Sequence, residues 1–131
     1  MITTLYLTLE QLLVIHEDQI DRYGGTSGIR DLALLESALF RPQTTFGGKD
    51  LYLTIFDKAA ALIHSLIQNH SFIDGNKRTG TVASLVFLAM NGWEIKVEQD
   101  ELVQIALSIA TKGFSIDEIS HWLQTNSKKI H

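Results

Sequence analysis

The densest run of chemically capable side chains in this sequence is His70, Ser71, Phe72, Ile73, Asp74, Gly75, Asn76, Lys77 and Arg78. His70 is the one group there able to accept a proton near neutral pH, which makes it the candidate general base. Asp74 supplies a hard oxygen, the kind of ligand that binds magnesium together with substrate phosphates. Gly75 can take a positive φ that other residues resist, so the chain can turn sharply and aim successive N–H groups at one anion. Asn76, Lys77 and Arg78 then open a helix, whose N-terminal amides and dipole join two cations in a phosphate cradle. Phe72 needs no chemical role: it plugs the loop into the core and holds the polar residues in register. Taken singly, each piece reads as ordinary structure, since Asp-Gly-Asn is a turn and a histidine at a helix end is a cap. A structural role does not require base, metal ligand, anion nest and cations within nine residues.

The elements that must position this run are helical. Thr8 and Gln11 have capping-box spacing, Leu9, Leu12, Leu13 and Ile20 follow at helical intervals, and Gly24-Gly25 ends the pattern. A second helix starts at Asp31 and stops at Arg41-Pro42. The stretch from Gln43 to Asp50, with Gly47-Gly48, reads as an exposed loop or hairpin. A third helix runs from Thr54 to about Asn69, and a fourth from Asn76 to Met90 with Asn91-Gly92 as its C-cap. The fourth has small and apolar residues on nearly all faces after its first turn, which predicts the buried central helix. Trp93 to Val97 reads as a short extended piece, Glu101 to Ala110 as a fifth helix, and Ser115 with Glu118 caps a last one through Leu123. The expected fold is all-α, a compact bundle of about six helices.

Composition narrows the function. The chain has 131 residues, enough for one domain and no second core, and the domain is expected to span 1–131. Hydrophobic residues make up 45% and there is a single proline, so an ordered globule is expected nearly end to end. Without cysteine there is no disulfide framework and no thiolate chemistry, and a reducing cytoplasm fits best. The N-terminus lacks a secretory pattern and no long apolar run follows, so no membrane association is expected. A net charge of -4 argues against direct binding of nucleic acid, which needs a basic face. Other motifs fail on their spacing. Gly48-Lys49 is followed by Asp50 where a P-loop needs Ser or Thr, and Ile20 stands where a zinc-protease helix starting at His16-Glu17 needs its second histidine. His16 and His64 therefore read as packing or surface residues, and Trp93 and Trp122 as core.

The run His70-Ser71-Phe72-Ile73-Asp74-Gly75-Asn76-Lys77-Arg78-Thr79 resembles the signature of the Fic/Doc family, specifically its Doc ("death on curing") branch. The resemblance extends through Tyr6-Leu7-Thr8, Arg22-Tyr23-Gly24-Gly25, Leu34-Leu35-Glu36-Ser37-Ala38-Leu39, Arg41-Pro42-Gln43, Phe87-Leu88 and Asn91-Gly92, nearly the whole chain. In Fic adenylyltransferases the motif reads H-x-F-x-[D/E]-G-N-G-R-x-x-R, with the second glycine lining the anion hole and the final arginine gripping the nucleotide phosphates. Here Lys77 replaces that glycine and Thr81 stands in place of that arginine, departures that mark the Doc branch.

The resemblance implies the Fic/Doc fold and a toxin that acts as a protein kinase, phosphorylating translation elongation factor Tu on a Thr or Ser hydroxyl and arresting translation. ATP would be the substrate and Mg2+ the cofactor. His70 would be the base, Asp74 the magnesium ligand, and Gly75, Asn76, Lys77 and Arg78 would hold phosphates. The segment around residues 44–52 resembles the family's flap, in which Thr44, Thr45, Phe46, Gly47 and Gly48 would hold the target by adding a strand to it. Asp74-Gly75 is the Fic-like form of the loop, so AMP transfer stays open beside phosphoryl transfer, as does a catalytically silent module that only binds an antitoxin. The family's internal inhibitory motif, [S/T]-x-x-x-E-[G/N], is absent, because each of the seven glutamates is followed by something other than Gly or Asn. Control is then expected from a separate Phd-like antitoxin whose disordered segment folds onto the chain.

Overall fold

A computed structural model describes residues 3–130. Six helices, α1 (Leu9–Tyr23), α2 (Leu32–Phe40), α3 (Ile55–Asn69), α4 (Asn76–Met90), α5 (Gln99–Lys112) and α6 (Ile116–Thr125), form the all-α bundle that the apolar periodicity predicts. A single 3₁₀ turn, Arg41–Gln43, follows α2 because Pro42 cannot continue the α-helical ladder. Short strands complete the chain: β1 (Thr45–Phe46), β2 (Lys49–Asp50), β3 (Trp93–Ile95) and β4 (Ser127–Lys129).

Local sequence sets the helix starts. α1, α3 and α6 each begin with a reciprocal capping box, Thr8 with Gln11, Thr54 with Asp57 and Ser115 with Glu118. Asp31 caps α2 by accepting from the Leu34 amide at 3.0 Å. β1 and β2 pair antiparallel with Thr45 opposite Asp50, and β3 pairs with β4 with Glu94 opposite Lys128. The second pairing ties the chain end to the α4–α5 connection, and β4 has no alternating apolar pattern that would announce it.

The centre of the bundle is α3, which corrects the expectation that α4 occupies it. Ten of the fifteen residues of α3 are buried, against six of fifteen in α4, so α3 is the helix the others surround. The small residues of α4 mark a close crossing rather than burial on every side. A Cβ on Gly80 would lie 3.1 Å from Ile67 Cγ1 and 3.3 Å from Leu66 Cβ, and Ser84 donates across the crossing to the Ala59 carbonyl at 3.2 Å. The other face of α4 opens on a groove of about 400 Å³ shared with α1 and α5, lined by Tyr23, Val82, Leu85, Leu102 and Val103. The α3–α4 crossing is what fixes the connecting loop, residues 70–75.

Candidate active site

α3 ends at Asn69, and His70 turns the chain out of the helix with φ 49° and ψ 47°. Among the described residues it is the one non-glycine with positive φ, a conformation costing an L-residue about 1–2 kcal/mol. The segment preceding α2 pins the loop from outside. Arg30 donates from Nε to the His70 carbonyl at 2.6 Å and from Nη2 to the Asn69 carbonyl at 3.0 Å. The Arg30 and Asp31 amides donate to the Ser71 carbonyl, the Ile73 amide donates to the Gly28 carbonyl, and Ile29 bridges Phe72. The His70 ring itself is exposed and forms no hydrogen bond among the described residues, which leaves it open to a substrate hydroxyl.

The inner side of the loop is anchored by Phe72, which is 2% exposed. The ring of His16, also buried, stacks on it at 3.7 Å and 6°. His16 Nε2 lies 2.9 Å from the Asp74 carbonyl oxygen, which can only accept, so that nitrogen carries the proton. Asn76 closes the turn with both ends of its amide: Oδ1 accepts from the Phe72 amide at 2.9 Å and Nδ2 donates to the Phe72 carbonyl at 3.0 Å. Gly75 has φ 77°, and a Cβ there would lie 3.2 Å from Ile20 Cδ1 and 3.7 Å from His16 Nε2, so both conformation and space select glycine. It carries no side chain to cap α4, which leaves the amides of Asn76, Lys77 and Arg78 without intrahelical partners.

Arg78 and Lys77 differ sharply in their surroundings. Arg78 turns back onto the end of α1, donating to the Gln19 carbonyl at 3.3 Å and the Gly24 carbonyl at 2.9 Å, with its guanidinium 5.8 Å from the Tyr23 ring centroid. Lys77 is exposed and makes neither hydrogen bond nor ion pair through its side chain among the described residues. Thr81 bonds back onto its own helix, donating from Oγ1 to the Lys77 carbonyl at 2.8 Å.

The Asp74 carboxylate accepts from the Gly75 amide at 2.8 Å and from the Thr26 amide at 3.2 Å, one bond on each oxygen. The Thr26 amide first and the Gly75 amide second hold its carboxyl below the usual range, with Arg78 and His16 adding to the effect. Each oxygen keeps a lone pair, so Asp74 fits the single carboxylate that a magnesium ion needs when phosphates and water supply its other ligands. Gly25 gives the carboxylate its room: a Cβ there would lie 2.7 Å from Asp74 Oδ2.

The segment read as a flap is a hairpin. Thr44 leads into it, Thr45 and Phe46 form β1, and Gly47 and Gly48, with φ of 59° and 80°, form the turn. Phe46 is 82% exposed, and the strands' outer edges are unpaired among the described residues. Two basic residues moor the base. Lys58, 3% exposed on α3, donates to Asp50 Oδ2 at 3.2 Å and to the Tyr52 carbonyl. Arg41 donates to the Tyr52 hydroxyl at 2.9 Å. Sequence reading missed Arg30, Thr26, Arg41 and Lys58, whose partners are set by the tertiary fold, whereas His16, expected as a packing or surface residue, packs against Phe72.

A family description matches this arrangement: residues 6–88 fit the Fic/DOC family, and the chain belongs to that family. Two relatives place it in the Doc branch. Toxin Doc of Mycolicibacterium smegmatis is 40% identical over 100 residues, covering 75% of this chain and 77% of that protein. Protein kinase doc of Escherichia phage P1 is 28% identical over 119 residues, covering 91% of this chain and 93% of that protein.

Proposed function

We propose that this chain is the toxin of a type II toxin-antitoxin system, a protein kinase that moves the γ-phosphoryl group of ATP to a Thr or Ser hydroxyl of elongation factor Tu and so arrests translation. The observation that carries the reading is the placement of an exposed, unpartnered His70 ring on the same short loop as the Asp74 carboxylate and the open amides of α4. His70 accepts the proton of the acceptor hydroxyl as its oxygen attacks the γ-phosphorus, the bond to the β-phosphate oxygen breaks, and ADP leaves. The amides of Asn76, Lys77 and Arg78 and the ammonium of Lys77 neutralise charge that spreads over the phosphate oxygens. Gly75 and the side chains of Asn76 and Arg78 serve that cradle by shaping it, since both side chains are occupied with backbone carbonyls and amides. Asp74 would hold Mg2+ beside the phosphates, and the ion would supply further charge neutralisation. The apolar groove that begins at Lys77 and Arg78 suits the flat face of a nucleobase.

Two features favour phosphoryl transfer over AMP transfer. Lys77 adds a cation where the adenylyltransferase motif has glycine, and Thr81, in place of the distal arginine, bonds its own helix and leaves the far end of a triphosphate without a grip. The name of the phage P1 relative, protein kinase, supports the same choice. The hairpin Thr44, Thr45, Phe46, Gly47 and Gly48 docks the target by strand addition. A separate Phd-like antitoxin controls the enzyme, and the pair works in the cytoplasm; no helix among the described residues is long and apolar enough to cross a membrane. Mass spectrometry of elongation factor Tu after incubation with the chain, ATP and magnesium tests the reading. One added phosphate on Thr or Ser is expected, and added AMP would overturn the kinase chemistry.

A further inference from the structure

We propose that Arg30 is a positioning residue for the base: by gripping the last carbonyls of α3 it holds His70 in the left-handed conformation that presents its ring to the acceptor hydroxyl. The proposal rests on the reading of His70 as that base. Helices that end in a left-handed residue generally use glycine, which pays no steric penalty there, and close the end with backbone amides. α3 ends instead in a histidine, and the cap amide of His70 makes no return bond to the helix; the caps of α1, α2, α4 and α6 each make one, and α5, which also lacks it, ends in a left-handed glycine, Gly113, that pays no steric penalty. The carbonyls left over at that end need a donor from elsewhere. Arg30, forty residues earlier, supplies it: Nε at 2.6 Å from the His70 oxygen and Nη2 at 3.0 Å from the Asn69 oxygen. A planar guanidinium fork can span two adjacent carbonyls, which one ammonium cannot do in the same geometry.

Arg30 has no other visible employment. It is exposed and forms no ion pair with any carboxylate among the described residues. Its own main chain is fixed by the 2.7 Å bond to the Ser71 carbonyl, so the fork is held at the site rather than swinging in solvent. Asn69 adds a further tie, donating from Nδ2 to the Leu34 carbonyl at 3.2 Å. Without the fork, the main-chain bonds to the Ser71 carbonyl and the bond from the Asn69 side-chain amide remain on either side of His70, but no side chain holds the His70 carbonyl itself against relaxation toward right-handed backbone, which would reorient the ring.

The test compares wild type, Arg30→Met, Arg30→Lys, His70→Ala and the Arg30→Met/His70→Ala double variant in steady-state phosphoryl transfer to elongation factor Tu, below the melting temperature of each. A misplacement near 1 Å can cost on the order of a hundredfold, so Arg30→Met is expected to lower kcat by about ten- to a hundredfold with KM for ATP unchanged. Arg30→Lys recovers part of that loss. Because Arg30 acts through His70, the double variant is expected to be no slower than His70→Ala alone. A plain helix cap would lower the melting temperature and leave kcat within about twofold, and an independent catalytic role would slow the double variant by the full factor again; either result overturns the proposal. If His70→Ala keeps its activity, or wild type has none, the base assignment fails by itself. The Arg30 claim is then decided by backbone carbon chemical shifts of His70, which leave left-handed values in Arg30→Met if the proposal holds and stay there if it does not.

Discussion

Phe72→Ala separates anchoring from chemistry within the loop. An aromatic side chain buries roughly 150–250 Å², worth about 4–6 kcal/mol at ~25 cal/mol per Å², and alanine retains part of it. Phe72 is 2% exposed and packs face to face with His16 at 3.7 Å, in a core whose neighbours are themselves held by helix packing. The cavity therefore cannot close fully, and a loss of about 3–5 kcal/mol is expected. Over a chain of 131 residues, an unfolding entropy of about 2.1 cal/mol/K per residue amounts to roughly 0.28 kcal/mol/K, so the melting temperature should fall by about 11–18 °C. Thermal and urea unfolding measure both quantities. The folded fraction should retain much of its transfer activity, because Asn76 still brackets the main chain of residue 72 through its two amide bonds. A loss below about 1 kcal/mol would refute the anchoring argument, as it lies under the range for a buried aromatic truncated to alanine.

Three other perturbations probe separate parts of the account. Lys77→Gly removes an unpaired cation beside the α4 amides and should lower kcat for phosphoryl transfer by about a hundredfold with little change in melting temperature; unchanged kcat would exclude Lys77 from charge neutralisation. Burial, reinforced by Arg41, holds the His64 imidazole below its ordinary value of 6.5. The unfolded chain then takes up a proton that the folded chain resists, so stability is complete above pH 6.5 and declines as the pH falls through the folded value. His64→Gln should flatten that decline in urea titrations run across the range, and an unaltered slope would show that another group is responsible. Lys58→Met should leave global stability within about 1 kcal/mol, since Asp50, the charge left behind, has a side chain 55% exposed and stays hydrated. It should nonetheless free the hairpin, seen as faster hydrogen exchange of the Leu51 amide, which now donates to the Thr44 carbonyl at 2.9 Å. Exchange at the wild-type rate would mean that Lys58 does not moor the flap.

What the sequence discloses, and what it hides, divides by the range of the interaction. Thr8, Asp31 and Ser115 start their helices where short-range capping chemistry says they should, and Gly75 turns left-handed ahead of α4. Residues 70–75 form the predicted loop for the same reason: turn, helix start and anchor all lie within one short stretch. The sequence points to α4 as the centre of the bundle because Gly80 and Ser84 make it look buried all round, yet both serve one close crossing with α3. Asn76 and Arg78 have the composition of phosphate ligands, yet their side chains bind Phe72, Gln19 and Gly24, choices made by tertiary placement. Arg30 and His16 left no local trace, since the one meets carbonyls forty residues on and the other a carbonyl fifty-eight residues on.

The central claim is that an exposed histidine on this loop delivers the γ-phosphoryl group of ATP to a protein hydroxyl. Incubation of purified elongation factor Tu with magnesium and ATP labelled either at the γ- or at the α-phosphate, using wild type and His70→Ala, tests it most directly. Label from γ-labelled ATP alone should pass to the target, and His70→Ala should reduce the rate by about a hundredfold or more while keeping its cooperative melt. Transfer from α-labelled ATP would make the chain an adenylyltransferase on the same fold, transfer from neither would leave a binding module, and transfer undiminished in His70→Ala would remove the histidine from the chemistry.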